Sequence, residues 1–160
     1  MNGSSASRKA AARSMRMRDY VPYQLAILSS RLSRALETVF GAAHHLSRPE
    51  WRALALASEV ECCRASDLVT WSGMDHVAIH RAVKRLEAMG LIERTSIADD
   101  KRARPLRVTP KGMRVYLAVV PYALELERQL LGALDEEEAA VFKRVLGKLS
   151  QASFSPELKQ

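Results

Sequence analysis

Apolar side chains recur at spacings of three and four through most of the chain, and one central stretch breaks that rhythm with short β-branched runs. From Asp19 to about His44, the residues Leu25, Leu28, Leu32, Leu36 and Val39 form a single stripe. Pro22 falls in the first turn of this segment, where a missing backbone donor is tolerated. The spacing predicts a long first helix, with one face turned to another chain as well as to its own core. Ser47, Pro49 and Glu50 follow at the cap, first-turn and capping-box positions of a second helix. Trp51, Leu54 and Leu56 supply its apolar side.

Residues 61–64 (ECCR) read as a short connection. Ser66 to Trp71 predicts a short third helix ended by Gly73, and Asp75 then caps a fourth helix running to Ala88 or Met89. Val77, Ile79, Val83 and Leu86 are its apolar positions, and Gly90 stops it. Leu91–Thr95 and Leu106–Thr109 read as two short strands around the charged tip Ala98–Arg104, a β-hairpin whose tip is too long for a two-residue turn. A fifth helix follows Thr109-Pro110 and runs to about Leu131, with a kink expected at Pro121. Asp135 caps a sixth, whose first turn holds Glu136, Glu137 and Glu138, favourable to the helix dipole. Val141, Val145, Leu146 and Leu149 line its apolar side, while Leu86, Leu91, Ile92, Trp51 and Trp71 are expected in the core.

Length and charge narrow the picture. A chain of 160 residues, 48% of them hydrophobic, fits one ordinary domain. No run of about 18 apolar residues is free of charge, which excludes a membrane span, and no apolar segment suited to a secretion signal opens the chain. Only two cysteines occur, Cys62 and Cys63, so no disulfide framework is available and a reducing cytoplasm is the expected location. The net charge of +7 is unevenly spread. Residues 1–18 carry five basic side chains and no acid, and read as a disordered basic arm. Residues 64–112 carry ten basic and six acidic side chains. A local basic surface of this kind suits a polyanion, nucleic acid ahead of membrane; a solvated, solubilising surface is the plain alternative.

Helix, turn, helix and then a basic hairpin make a winged helix-turn-helix, in a fold that is mainly α with a small β-hairpin wing. The second helix of such a pair fits the DNA major groove, and a wing arginine meets strong negative potential in the neighbouring minor groove. The expected DNA-contact set is His76, Val77, Ala78, His80, Arg81 and Lys84 on the fourth helix, with Arg102 and Arg104 at the wing tip. Asp100 suits a salt bridge that orients Arg102, because phosphate would repel it. Arg85 and Arg94 are open to structural or phosphate-facing roles.

Several linked motifs carry a resemblance. Gly73-Met74-Asp75 forms the turn into the fourth helix, Arg85 to Arg94 spells RLEAMGLIER, Asp100-Lys101-Arg102 sits in the hairpin, and Thr109-Pro110-Lys111-Gly112 closes it. These resemble the signatures of the multiple antibiotic resistance regulator (MarR) family, with Val108 where that family favours leucine. The resemblance spans roughly residues 19–150. The recognition helix departs from it, holding Val77, Ala78 and His80 where serine or threonine is frequent, so no particular operator carries over.

The resemblance implies a homodimer interlocked through its first, fifth and sixth helices and a palindromic DNA site. It divides the chain into the arm 1–18, a helical dimerisation region 19–46 and 110–150, a DNA-binding lobe 47–109 and a tail 151–160. It also implies a repressor released by a small effector, an aromatic carboxylate or its thioester. Tyr20, Tyr23, Arg31, His45, Trp51 and Tyr116 are the expected effector-binding residues, with Arg31 placed to meet a carboxylate. A plain surface or dimer salt bridge is the other reading of Arg31.

Adjacent His44 and His45 make a poor metal site and suit a helix end, and Cys62-Cys63 suits a plain turn. No metal and no cofactor is expected. With no nucleophile–base pair, no phosphate-binding glycine loop and no HExxH, the chain is not expected to be an enzyme. Two other functions remain open at this point: a winged-helix protein-interaction module without DNA binding, and a ligand-independent architectural DNA-binding protein.

Overall fold

The computed structural model describes residues 16–95 and 105–154. The chain divides between Arg48 and Pro49 into two compact units. In the first, a 3-10 turn (Met17–Asp19) leads into helix α1 (Val21–His44). Arg16 and Arg18, expected in a disordered arm, belong instead to this entry turn: the Asp19 N–H donates to the Arg16 carbonyl at 2.9 Å. The rest of the arm lies outside the described residues. Pro22 sits in the first turn of α1, as its missing donor allows. The helix ends at His45, which takes a left-handed conformation (φ 55°) and donates its N–H to the Gly41 carbonyl at 3.0 Å. Arg48 reaches back to Glu37 through a 2.7 Å ion pair.

The second unit carries α2 (Arg48–Ser58, its first residue just before the division), α3 (Ala65–Ser72), α4 (His76–Ala88), β1 (Ile92–Arg94), β2 (Leu106–Val108), α5 (Pro110–Leu131) and α6 (Glu136–Ser150). The two strands pair antiparallel with Glu93 opposite Arg107. The 61–64 connection does more than turn. Cys63 exchanges both backbone hydrogen bonds with Leu106, at 3.0 and 2.7 Å, and adds a third extended segment beside the hairpin.

The core of this unit gathers Ala53, Leu54 and Ala57 of α2, Leu68 of α3, Ile79, Ala82, Val83 and Leu86 of α4, and Leu91, Ile92 and Leu106 of the hairpin. Each fully buried leucine or isoleucine contributes about 1.5–3 kcal/mol relative to exposure, enough for α4 alone to be firmly seated. Trp71 departs from expectation. It is 48% exposed, in the last turn of α3 just before the chain leaves the helix at Gly73. Trp51 is half-buried and stacks on Tyr116 of α5, ring centroids 6.1 Å apart.

Helix α5 runs on through Pro121, and α6 starts on a capping box in which Asp135 and Glu138 each accept the other's backbone N–H, at 2.8 and 3.0 Å. Large apolar residues stay open along three helices: Tyr20, Val21, Leu25 and Ile27 at and beside the start of α1, Leu117, Tyr122 and Leu124 on α5, and Val141, Val145, Leu146 and Leu149 on α6. No helix among the described residues is long and apolar enough to cross a membrane.

Candidate nucleic-acid interface

The helix-turn-helix is fixed by short polar contacts in its turn. Gly73 ends α3 at φ 65°, a conformation that a side chain would strain. The Ser72 hydroxyl accepts the Met74 N–H at 3.1 Å. Asp75 then caps α4, its carboxylate accepting the Ala78 N–H at 2.8 Å. At the other end of α3, the Asp67 carboxylate accepts the Arg64 N–H at 2.7 Å.

Helix α4 is two-sided. Ile79, Ala82, Val83 and Leu86 are buried, whereas His76, Val77, His80, Arg81, Lys84 and Arg85 are exposed. Ala78 differs from the expected exposed set: it is half-buried, because it lies on the flank of the buried stripe. The imidazoles of His76 and His80, one turn apart, lie side by side with centroids 6.4 Å apart and rings within 23° of parallel. Among the described residues, Arg81, Lys84 and Arg85 have no ion-pair partner, so their charges face solvent uncompensated.

Other cations are engaged. Arg94 is held by Glu87 at 2.8 Å and Arg107 by Glu61 at 2.9 Å. These pairs tie β1 to α4 and β2 to the connection, which gives both arginines a structural role. Exposed pairs of this kind contribute about 0–1 kcal/mol each, so their effect is mainly positional. Arg85 is a free cation the expected set omitted. Helical phase carried the signal, since Arg85 stands four residues after Arg81. Arg102 and Arg104, and the Asp100–Arg102 pairing, lie outside the described residues.

The root of the wing is fastened to α5. The Thr109 hydroxyl donates to the Gly90 carbonyl at 2.7 Å and accepts the Gly112 N–H at 3.0 Å, while the Lys111 ammonium donates to the Met89 carbonyl at 2.7 Å. Beside it, burial pushes the Cys63 thiol up to about 11, with Asp67 and Cys62 adding to the shift. Cys62 is exposed.

The expected effector residues fall in both units. Tyr20, Tyr23, Arg31 and His45 belong to the first, and the stacked pair Trp51–Tyr116 to the second. Within the first unit, Arg18, Tyr23, Gln24, Ile27, Leu28 and Arg31 line an open groove of about 260 Å³. Gln24 holds its wall by donating to the Arg18 carbonyl at 2.7 Å. His45 serves as the end of α1. Among the described residues no three His, Cys, Asp or Glu side chains cluster in a way that could hold a metal.

A family profile covers the helix-turn-helix and the first strand of the hairpin: that of the MarR family matches residues 46–103. The chain is also 30% identical to the MarR family transcriptional regulator SPO1453 from Silicibacter pomeroyi DSS-3, covering 84% of this chain and 96% of that one at a TM-score of 0.72. The chain belongs to the MarR family. This MarR-family chain is also similar to the HTH-type transcriptional regulator PecS of Dickeya dadantii, with 28% identity over 79% of its own length and 78% of the relative's. Its fold matches that of Bordetella bronchiseptica BpsR, at a TM-score of 0.76, 20% identity and coverage of 87% and 99% of the two chains. That structure describes regulation of BpsR DNA binding by 6-hydroxynicotinic acid. The MarR-family chain is thus a DNA-binding transcriptional regulator of winged-helix fold, and not an enzyme.

Proposed function

We propose that two copies of this chain associate through α1, α5 and α6 and repress transcription from a palindromic operator until a small aromatic carboxylic acid, or its thioester, releases the DNA. The observation that carries the DNA half of this reading is the exposed, unpaired basic face of α4, opposite its buried one. His76, Val77, His80, Arg81 and Lys84 contact the major groove, Ala78 lies at the margin, and Arg102 and Arg104 serve the wing. A free arginine or lysine there can meet phosphate or a guanine edge without first breaking an ion pair. The open apolar stripes of α1, α5 and α6 support association, because a monomer would leave them in water. Two-fold association then sets a palindromic site.

For the effector, the groove on α1 supplies a ring wall in Tyr23 and a carboxylate partner in Arg31, with Arg18 beside them. The aromatic acid that regulates BpsR belongs to the same chemical class. Tyr20, His45, Trp51 and Tyr116 complete the residues we assign to effector response. Release works as a population shift: an effector that favours the arrangement unable to span successive grooves lowers operator affinity.

The test is a mobility-shift assay on the DNA upstream of the protein's own gene, with salt and aromatic acids titrated. Operator capture should weaken with a log–log salt slope steeper than about −4. Capture that ignores salt, or a single subunit by light scattering at working concentration, counts decisively against the reading. Retention of DNA against every aromatic acid tried removes the effector half and favours an architectural role.

A further inference from the structure

We propose that His76 and His80 form a chelating site for a divalent imidazole-seeking metal ion, nickel, copper or zinc, on the reading face of α4, and that metal and operator exclude one another there. Side chains four apart on a helix share one face. These two imidazoles are both exposed and already lie side by side, 6.4 Å between centroids and 23° from parallel. Small side-chain rotations bring one nitrogen of each to about 2.1 Å from a common ion, the length of an ordinary metal–imidazole bond. Exposure leaves room for those rotations.

The surroundings define the kind of site. Among the described residues no third His, Cys, Asp or Glu completes a cluster, so water fills the remaining positions and binding is reversible. Asp75, at the head of the same helix, uses a carboxylate oxygen to cap Ala78, but its negative charge favours a cation nearby. Lys84, one turn beyond His80, opposes it through solvent. Imidazole ligands without thiolate or carboxylate select late divalent ions over magnesium or calcium.

The metal site stands on this geometry alone; its consequence for DNA rests on the proposed use of α4 in the major groove. An ion on these nitrogens occupies the atoms that would reach DNA and adds a layer of water ligands to the helix face. Linkage requires the effect to be mutual: operator must weaken metal binding as much as metal weakens operator binding.

The test uses the full chain, stripped of metal, titrated with Ni²⁺ by calorimetry and carrying Cys62→Ser to remove the exposed thiol as a competing ligand. One Ni²⁺ per chain is expected, with affinity falling at least ~10-fold in His76→Gln and in His80→Gln. Unchanged melting of both variants, which alter exposed side chains, shows that folding is not the cause. Saturating Ni²⁺ should weaken operator binding by about tenfold, the scale of two lost hydrogen bonds, and operator should weaken Ni²⁺ binding equally. Absence of Ni²⁺ uptake, or uptake indifferent to both histidine variants, overturns the site. Equal Ni²⁺ affinity with and without bound operator overturns the exclusion. A protein that takes up Ni²⁺ through the histidine pair but captures no DNA overturns the operator reading and the exclusion drawn from it, while the metal site stands.

Discussion

Gly112 of α5 lies so close to the Leu91 carbonyl that a Cβ on it would collide with that oxygen, and would also meet the Val108 side chain at 2.9 Å. The same carbonyl accepts the Thr109 N–H at 3.0 Å. The first turn of α5 is thereby pressed against the chain just after α4, and the Thr-Pro-Lys-Gly run owes its composition to this join. Thr109 caps, Pro110 occupies a position needing no donor, Lys111 holds the Met89 carbonyl, and Gly112 leaves the space empty.

Gly112→Ala is therefore expected to destabilise the fold by about 3 kcal/mol, as overpacking against unyielding backbone does. Thermal and urea unfolding measure it. A variant as stable as the parent would mean that the join between α5 and Leu91 relaxes freely.

Asp75→Ala removes the oxygen that satisfies the Ala78 N–H at the start of α4. The expected loss is about 1 kcal/mol, and Asp75→Asn should recover most of it, since asparagine caps as well. Urea midpoints of the three proteins decide the matter.

Arg81→Ala and Lys84→Ala remove uncompensated charge from the exposed side of α4 without touching its buried side. Each should weaken operator binding by about tenfold and reduce the magnitude of the salt slope by about 0.9 per copy for a phosphate contact. Arg94→Ala gives the contrast: its guanidinium is held by Glu87, so its effect should fall on the hairpin more than on the salt slope. Anisotropy titrations over a range of salt separate the two.

Cys62 and Cys63 should differ sharply in reactivity. Cys62 is exposed, whereas burial holds the Cys63 thiol protonated up to about pH 11. One thiol per chain should react promptly with a disulfide reagent at pH 8, and the second only on unfolding. Because the folded-state value is raised, the protonated thiol's contribution to stability is complete below the unfolded cysteine's value near 9 and is lost as pH rises through about 11. Prompt reaction of both thiols at pH 8 would show that the bridge to Leu106 opens readily.

The order of helices, the turn at Gly73, the cap at Asp75 and the hairpin were legible in the sequence because each rests on local rules: periodicity, capping chemistry and the stopping power of glycine and proline. The buried stripe of α4 followed from the same periodicity, and with it the exposed stripe that carries Arg81 and Lys84. What required tertiary structure is whatever depends on partners distant along the chain. Glu61 reaches Arg107 from 46 residues away, and Glu87, though only seven residues from Arg94, meets it only because the chain turns back between α4 and β1, so the sequence alone could not separate free cations from engaged ones. Cys63 read as a turn residue because its pairing partner, Leu106, is 43 residues away. Trp71 read as core because size and apolarity favour burial, but in the last turn of α3 it is only about half covered. The space beside Gly112 exists only where two segments meet, since it is a property of packing between them.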